Sequence, residues 1–267
     1  GLRYIVRVSG PDIPGFEARY AWLYPALKPV VRAIWHGAEI VVAKCDGEAD
    51  MIRSVDGGVH ITLVPNGVDL DAFSPGAPVP DDGPLRLICV ARLVERKGQV
   101  HLIEAVRQLQ DEGLEVTLDL VGDGDARQAY EAQVRELGLD GRVNFRGYVP
   151  RQEIARHYAA AHVFVLPSYN EGMSVATLEA MAAGLPIVTT RTGGTKELVV
   201  EGANGLVYEW GDVSMLSRHL EHLANNRQTA RQMGAASRAR AELFSWELRV
   251  EQYTALFAQL SPSPRSG

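Results

Sequence analysis

The sequence predicts an α/β protein built on doubly wound parallel sheets. Three observations carry this. Short β-branched runs alternate with longer amphipathic runs along most of the chain, the order of repeated βαβ units. Several short runs, such as Val163-Phe164-Val165-Leu166, are apolar throughout, as strands buried on both faces are. The 267 residues are 46% hydrophobic and 22% charged, enough for a sizeable core in about two domains of ~150 residues.

In chain order, strands are expected at residues 4–8, 40–43, 61–64, 85–91, 116–121, 143–146, 163–166, 186–190 and 206–208. Helical spacing fills most of the gaps, as in Val100, Ile103, Val106 and Leu109 with charges between. The stretch 74–84 is rich in Pro, Gly and Asp and reads as a linker. About three strands precede it, too few for a domain of this class, and about six follow, enough for a complete one. From Val213 onward only helices are expected, with apolar spacing through Met215, Leu216, Leu220 and Leu223. A last helix is predicted over 245–260, with Ser245 as N-cap and Glu247 close behind, and a disordered tail over 261–267. The expected division is therefore 1–74, 75–244, a crossing helix 245–260 and the tail. The chain opens Gly1-Leu2-Arg3 and enters a strand at once, which predicts a fragment or a processed product.

Charge and composition exclude several classes. Lys+Arg 27 against Asp+Glu 33 leaves a net charge of −6, without the basic field of a general nucleic-acid binder. No apolar run approaches the roughly 18 residues that span a bilayer, and no basic-then-apolar opening marks a signal peptide. Cys45 and Cys89, the latter inside an apolar run, fit a reducing compartment and hence a cytoplasmic protein. Residues 20–35 mix Trp22, Tyr24, Leu27 and Trp35 with Lys28 and Arg32, following Arg19. This segment suits the inner face of a membrane, although core packing of its apolar side is the favoured account.

Open α/β sheets bind ligands beyond the carboxyl ends of their strands. There this sequence collects Arg92, Lys97 and Gly98, then Gly122-Asp123-Gly124, Gly147-Tyr148-Val149, Ser168 to Gly172, and Thr192-Gly193-Gly194. Glycines let backbone approach a ligand, and two cations beside free helix N-termini describe a phosphate site. Solvated surface charge is the plain alternative for Arg92 and Lys97. Glu171 and Glu179 stand eight positions apart, a helical rise of about 12 Å, too far for one acid–base dyad but suited to two ends of a long ligand. Carboxylates accept hydrogen bonds from sugar hydroxyls, and the amides of Met173, Ser174 and Val175 would face phosphate. On spacing alone the favoured account is plainer: a capping or salt-bridged Glu171 and a solvated Glu179. Asp123 and Asp125 read as a turn rather than a metal pair, and His219 and His222 as surface residues. The G-x-S-x-G and Walker A patterns of the commonest hydrolases and ATPases are absent.

Five stretches then resemble family 4 glycosyltransferases, which have the GT-B fold of two Rossmann-like domains. These are Arg92-Leu-Val-Glu-Arg-Lys97-Gly98, Glu171 through Glu179 to Gly184-Leu-Pro186, Val64-Pro65-Asn66-Gly67-Val68-Asp69, Phe145 to Pro150, and Thr192 to Glu197. The resemblance covers nearly the whole chain, in order. It implies a retaining enzyme that transfers a sugar from a nucleotide-diphosphate-sugar to a glycan, lipid or small-molecule acceptor, as in polysaccharide biosynthesis, with no cofactor and no metal. Catalytic roles fall to Arg92 and Lys97, on the diphosphate, and to Glu171, on the transferred sugar. Gly172, Met173, Ser174 and Val175 would hold phosphate and sugar, Glu179 the ribose, and Gly147, Val149 and Arg151 the side of the base. Most of the family's N-terminal, acceptor-side domain would precede Gly1. Where many members carry a His beside Gly10, this chain has Ser9. Two other readings stand beside this one: a truncated, inactive nucleotide-sugar-binding module, and a sugar-nucleotide epimerase, against which the paired-Glu spacing argues.

Overall fold

The computed structural model describes residues 3–16, 20–77, 79, 80 and 82–260. Its strands form two parallel sheets. In the first, β1 (Ile5–Arg7), β2 (Ile40–Ala43) and β3 (Ile61–Leu63) lie side by side in that order. In the second, β4 (Leu85–Val90), β5 (Val116–Val121), β6 (Val143–Gly147), β7 (Val163–Leu166), β8 (Ile187–Thr190) and β9 (Gly205–Tyr208) take the order β6-β5-β4-β7-β8-β9. Every expected strand is present, each end within a residue of its predicted place.

The larger sheet is covered on both faces. Leu85, Leu87 and Cys89 of β4 point to a core closed by α3 (Gln99–Asp111), α4 (Arg127–Glu136) and α8 (Val213–Asn225). Ile88, one step out of phase, faces a second core under α5 (Arg151–Ala159) and α6 (Val175–Ala182). α9 (Arg227–Ala241) packs on α6. The strand order reverses between β4 and β7, so a crevice opens at their carboxyl ends.

The smaller sheet borrows part of its cover. One face packs against Trp35 of α1 (Tyr24–Gly37) and against Ala49, Ile52 and Val55 of α2 (Asp46–Val55). The other face, Ile40, Val42 and Val64, is covered by Leu256 and Tyr253 of α10 (Trp246–Leu260), which crosses back from the large lobe. Ser245 starts that helix as expected, its Oγ accepting from the Leu248 amide at 3.4 Å. Trp246 N donates to Val68 O at 3.2 Å, tying the helix start to the chain between the lobes.

Three expectations are corrected or left aside. Core packing of the apolar side of residues 20–35 is realised only in part: Trp35 is buried and Val31 packs against the same core, but Trp22 is 78% exposed and Leu27, Val30 and Ile34 are exposed as well. His219 is half-buried rather than on the surface, and its Nε2 lies 3.3 Å from Val207 O. Arg19 and the tail 261–267 lie outside the described residues. No described helix is long and apolar enough to cross a membrane. Cys45 and Cys89 are buried free thiols, pushed by burial up to about 11 and about 12, and are therefore poor nucleophiles.

Candidate active site

The site is assembled where the loops after β4 and β7 meet. Gly98 closes the first loop at φ +68°, and a side chain there would lie 2.1 Å from Pro167 O. Only glycine allows both that conformation and that contact. Tyr169 N donates to Arg96 O at 2.8 Å, joining the loops again. Here Lys97 Nζ forms an ion pair with Glu171 Oε1, and both side chains are largely buried. Ser168 Oγ donates to the same carboxylate oxygen at 2.9 Å. The buried Gln99 amide donates to Arg92 O at 3.0 Å, so the backbone of Arg92 is fixed while its guanidinium stands exposed.

A cavity of about 340 Å³ opens beside Arg92, walled by Gly122, Tyr148, Val149, Arg151 and Glu179. Gly147 shapes its far side: at φ +67° it turns the chain out of β6, and its carbonyl accepts from Gly122 N at 2.8 Å. Glu179 and Arg151 also line an adjoining cavity of about 150 Å³ that reaches Asn66, Asp69 and Trp246. Tyr158 OH donates to Glu179 Oε2 at 3.0 Å. Burial raises the pKa of Glu179, and the Tyr158 hydrogen bond and the Arg151 charge oppose that rise. A third cavity, about 200 Å³ under Pro75, Gly76 and Ala77, touches Ala161 and Pro186 at the amino ends of β7 and β8, on the opposite rim.

The small lobe grips the loop between Glu171 and α6. Asn66 Nδ2 donates to Met173 O at 2.9 Å, while Asn66 Oδ1 accepts from Arg7 Nη2 at 2.6 Å. A side chain on Gly172 would lie 2.2 Å from Glu48 Oε1, and one on Gly194 would lie 1.8 Å from Gly172 O. Glu48 is buried in an ion pair with Lys44 Nζ at 2.9 Å. Asp46 pairs with Lys196 Nζ at 2.8 Å, and its amide donates to Glu197 Oε1 at 2.8 Å.

The residues read from the sequence thus gather on one rim, in two groups. Lys97 and Glu171 touch; Arg92, Val149, Arg151 and Glu179 share a cavity; Gly172, Met173, Ser174 and Val175 connect the two carboxylates. One estimate is corrected. Only the part from Val175 onward is helical, so the interval from Glu171 to Glu179 is not eight helical rises. Ser174 is the N-cap, its Oγ accepting from Thr177 N at 3.2 Å. Asp123 serves a turn, accepting from Gly124 N at 2.8 Å and pairing with Arg127 at 3.1 Å. Tyr158, Lys44 and Glu48 were not anticipated. Tyr158 lies four residues after Ile154 on the buried side of α5, and its spacing marks it only as core.

The family profile described as "Glycosyl transferases group 1" matches residues 73–240. The GDP-mannose-dependent alpha-(1-6)-phosphatidylinositol monomannoside mannosyltransferase of Mycolicibacterium smegmatis is 31% identical over 256 residues, 88% of this chain and 65% of that protein. The D-inositol 3-phosphate glycosyltransferase of Corynebacterium jeikeium is 30% identical over 249 residues, 86% of this chain and 59% of that protein. The chain therefore spans 59–65% of the length of these two relatives. Sucrose-phosphate synthase from Thermosynechococcus elongatus superposes with a TM-score of 0.86 at 28% identity, covering 97% of this chain and 68% of that one. Anabaena HepE in complex with UDP-glucose superposes with a TM-score of 0.84 at 22% identity, a likeness of fold, covering 96% and 72%.

Proposed function

Because the chain belongs to the group 1 glycosyl transferases and has their GT-B fold, we propose that it is the donor-binding part of a retaining, family 4 enzyme. The observation that carries this reading is the Lys97–Glu171–Ser168 cluster, set beside the Glu179 cavity at the switch point of the sheet.

The chemistry follows from the groups present. With no donor bound, Lys97 neutralises Glu171. An arriving diphosphate competes for the ammonium, and Lys97 and Arg92 then hold the phosphates. Glu171 keeps the Ser168 bond and turns its remaining acceptor capacity to hydroxyls of the sugar. The amides around Met173 to Val175, at the start of α6, add a partial positive charge. When the bond from the anomeric carbon to the phosphate oxygen breaks, the electron pair stays on the diphosphate. Two cations and a helix end stabilise it there without a metal ion. Glu179 takes the ribose hydroxyls, and Gly147, Val149 and Arg151 border the base. Both relatives named above act on inositol-containing acceptors, by their names, which supports a sugar or lipid acceptor. The exposed side of α1 would give peripheral contact with the inner face of a membrane in the cytoplasm.

The 267 residues by themselves are expected to bind donor without transferring sugar. Transfer needs an acceptor held against the anomeric carbon, a contribution of roughly 7–11 kcal/mol, and the acceptor-side lobe has three strands among the described residues. Calorimetry with UDP, GDP and ADP and their hexose conjugates tests the donor reading. At least one diphosphate should bind well above its nucleoside; binding of none would overturn it. A transferase assay on the chain as given tests the second expectation, which robust turnover would overturn.

A further inference from the structure

We infer that Tyr158 is a positioning residue for donor binding: its hydroxyl holds the Glu179 carboxylate in the orientation that receives the ribose. This rests on the reading that Glu179 binds ribose, and it assigns a task to a residue that touches no ligand.

Tyr158 is fully buried, with its ring between Phe73 at 5.9 Å and Phe164 at 6.1 Å. Phenylalanine would fill the same space. A hydroxyl in such surroundings is costly unless its hydrogen bonds are used. It reaches from α5 to α6, where two acceptors await its one proton: Glu179 Oε2 at 3.0 Å and Ala176 O at 3.3 Å. An ionised carboxylate is the stronger acceptor, so the proton points to Glu179. That bond fixes Oε2 against the core and leaves Oε1, with the spare lone pair of Oε2, for the two ribose hydroxyls.

The arrangement also responds to protons. Burial favours the neutral acid, while the Tyr158 bond and the Arg151 charge favour the carboxylate. Arg92 lines the same cavity, and Asp69 lines the adjoining one. Once protonated, Glu179 donates through one oxygen and accepts only weakly through the other, so its bonds to the Tyr158 hydroxyl and to the ribose hydroxyls both weaken. Nucleotide affinity should therefore fall as pH drops through the pKa of Glu179. Removing the hydroxyl moves that fall to higher pH.

The test is calorimetric titration of the 267-residue chain from about pH 5 to about pH 8. The ligands are the nucleoside diphosphate that binds best, UDP or GDP, and its 2′,3′-dideoxy counterpart. The proteins are wild type, Tyr158→Phe, Glu179→Gln and the double variant. Phosphate protonation is common to all four proteins and cancels. Tyr158→Phe should lose roughly three- to tenfold in affinity for the ribose ligand near neutral pH, and little for the dideoxy ligand. Its acid limb should move up in pH, and its effect should shrink in the Glu179→Gln background. Equal losses for both ligands with an unmoved acid limb would make Tyr158 merely structural and overturn the proposal, leaving the donor reading intact. If Glu179→Gln leaves the ribose preference unchanged, the assignment of Glu179 fails and the proposal with it. Should Tyr158→Phe not fold, Glu179→Asp draws the carboxylate away while leaving the ring packed. It must then weaken ribose binding in the same ligand-selective way.

Discussion

In the large lobe, β4, β7 and β8 lie beneath helices on both faces, and the core is built mainly from the lobe's own strands and helices, with Cys45 of the small lobe and Val68 and Phe73 of the connecting chain joining one side. In the small lobe, the same βα unit yields three strands. One face leans on a helix borrowed from the far end of the chain, while much of α1 faces solvent. The difference shows in how each lobe serves the site. The large lobe supplies side-chain chemistry: Arg92, Lys97, Glu171 and Glu179, each following a fully paired strand or seated on a packed helix. The small lobe supplies a clamp on backbone, through Asn66 on Met173 and Glu48 against Gly172. Each lobe holds a buried ion pair, Lys97–Glu171 in the large and Lys44–Glu48 in the small, so burial of charge does not separate them; the difference is that the small lobe meets the site loop mainly through contacts on its backbone.

The largest expected effect lies where the large lobe is tightest. Gly98→Ala should destabilise it by about 3 kcal/mol, because the left-handed φ and the backbone contact with Pro167 both act. A melt indistinguishable from wild type would mean that the two loops are not pressed together.

Next is the cation. Lys97→Ala should weaken nucleoside diphosphate binding by about 2 kcal/mol and leave the nucleoside unchanged, as calorimetry can read directly. Equal weakening of both ligands would reduce Lys97 to a structural partner of Glu171.

The carboxylates should separate by about 1 kcal/mol each, along the ligand rather than along the chain. Glu179→Gln should weaken any ribose-containing ligand, including the bare nucleotide. Glu171→Gln should spare the nucleotide and weaken only its sugar conjugate. The reverse pattern would turn the ligand end for end in the crevice.

The smallest effect on stability, within about 0.5 kcal/mol, is expected on α1 from Val30→Ser with Ile34→Ser, since both side chains are exposed. Their apolar surface should nevertheless drive self-association of the wild-type chain, which sedimentation velocity would show relieved in the double variant. Unchanged association would place the sticky surface elsewhere. A shortened lobe would on sequence grounds expose apolar surface near Tyr4–Val8 and Ile40–Ala43; Tyr4 is exposed, but Val8 and the whole of Ile40–Ala43 are buried and are not candidates.

How much was legible follows from the range of each interaction. Strands, helices and their order were readable because apolar periodicity and β-branching act within a few residues. Arg92, Lys97 and Glu171, after strand ends, and Glu179, on the helix that follows, could be marked as candidates because open parallel sheets bind ligands at that rim. Plain surface charge fitted them as well, and only the motif resemblance gave them donor roles. The pairing of Lys97 with Glu171 was not, since 74 residues separate them and only the strand order brings β4 beside β7. Tyr158 shows the same limit more sharply. By sequence it is one more large residue on a buried helix face, and only the packing of α5 against α6 turns its hydroxyl toward Glu179. The sequence by itself determined which residues form strands, which helices, and which loops carry charge. The tertiary structure decided which charges meet, which carboxylate is fixed by a buried hydroxyl, and which apolar face stays open. Those outcomes depend on contacts between segments far apart in the chain, where no local pattern reaches.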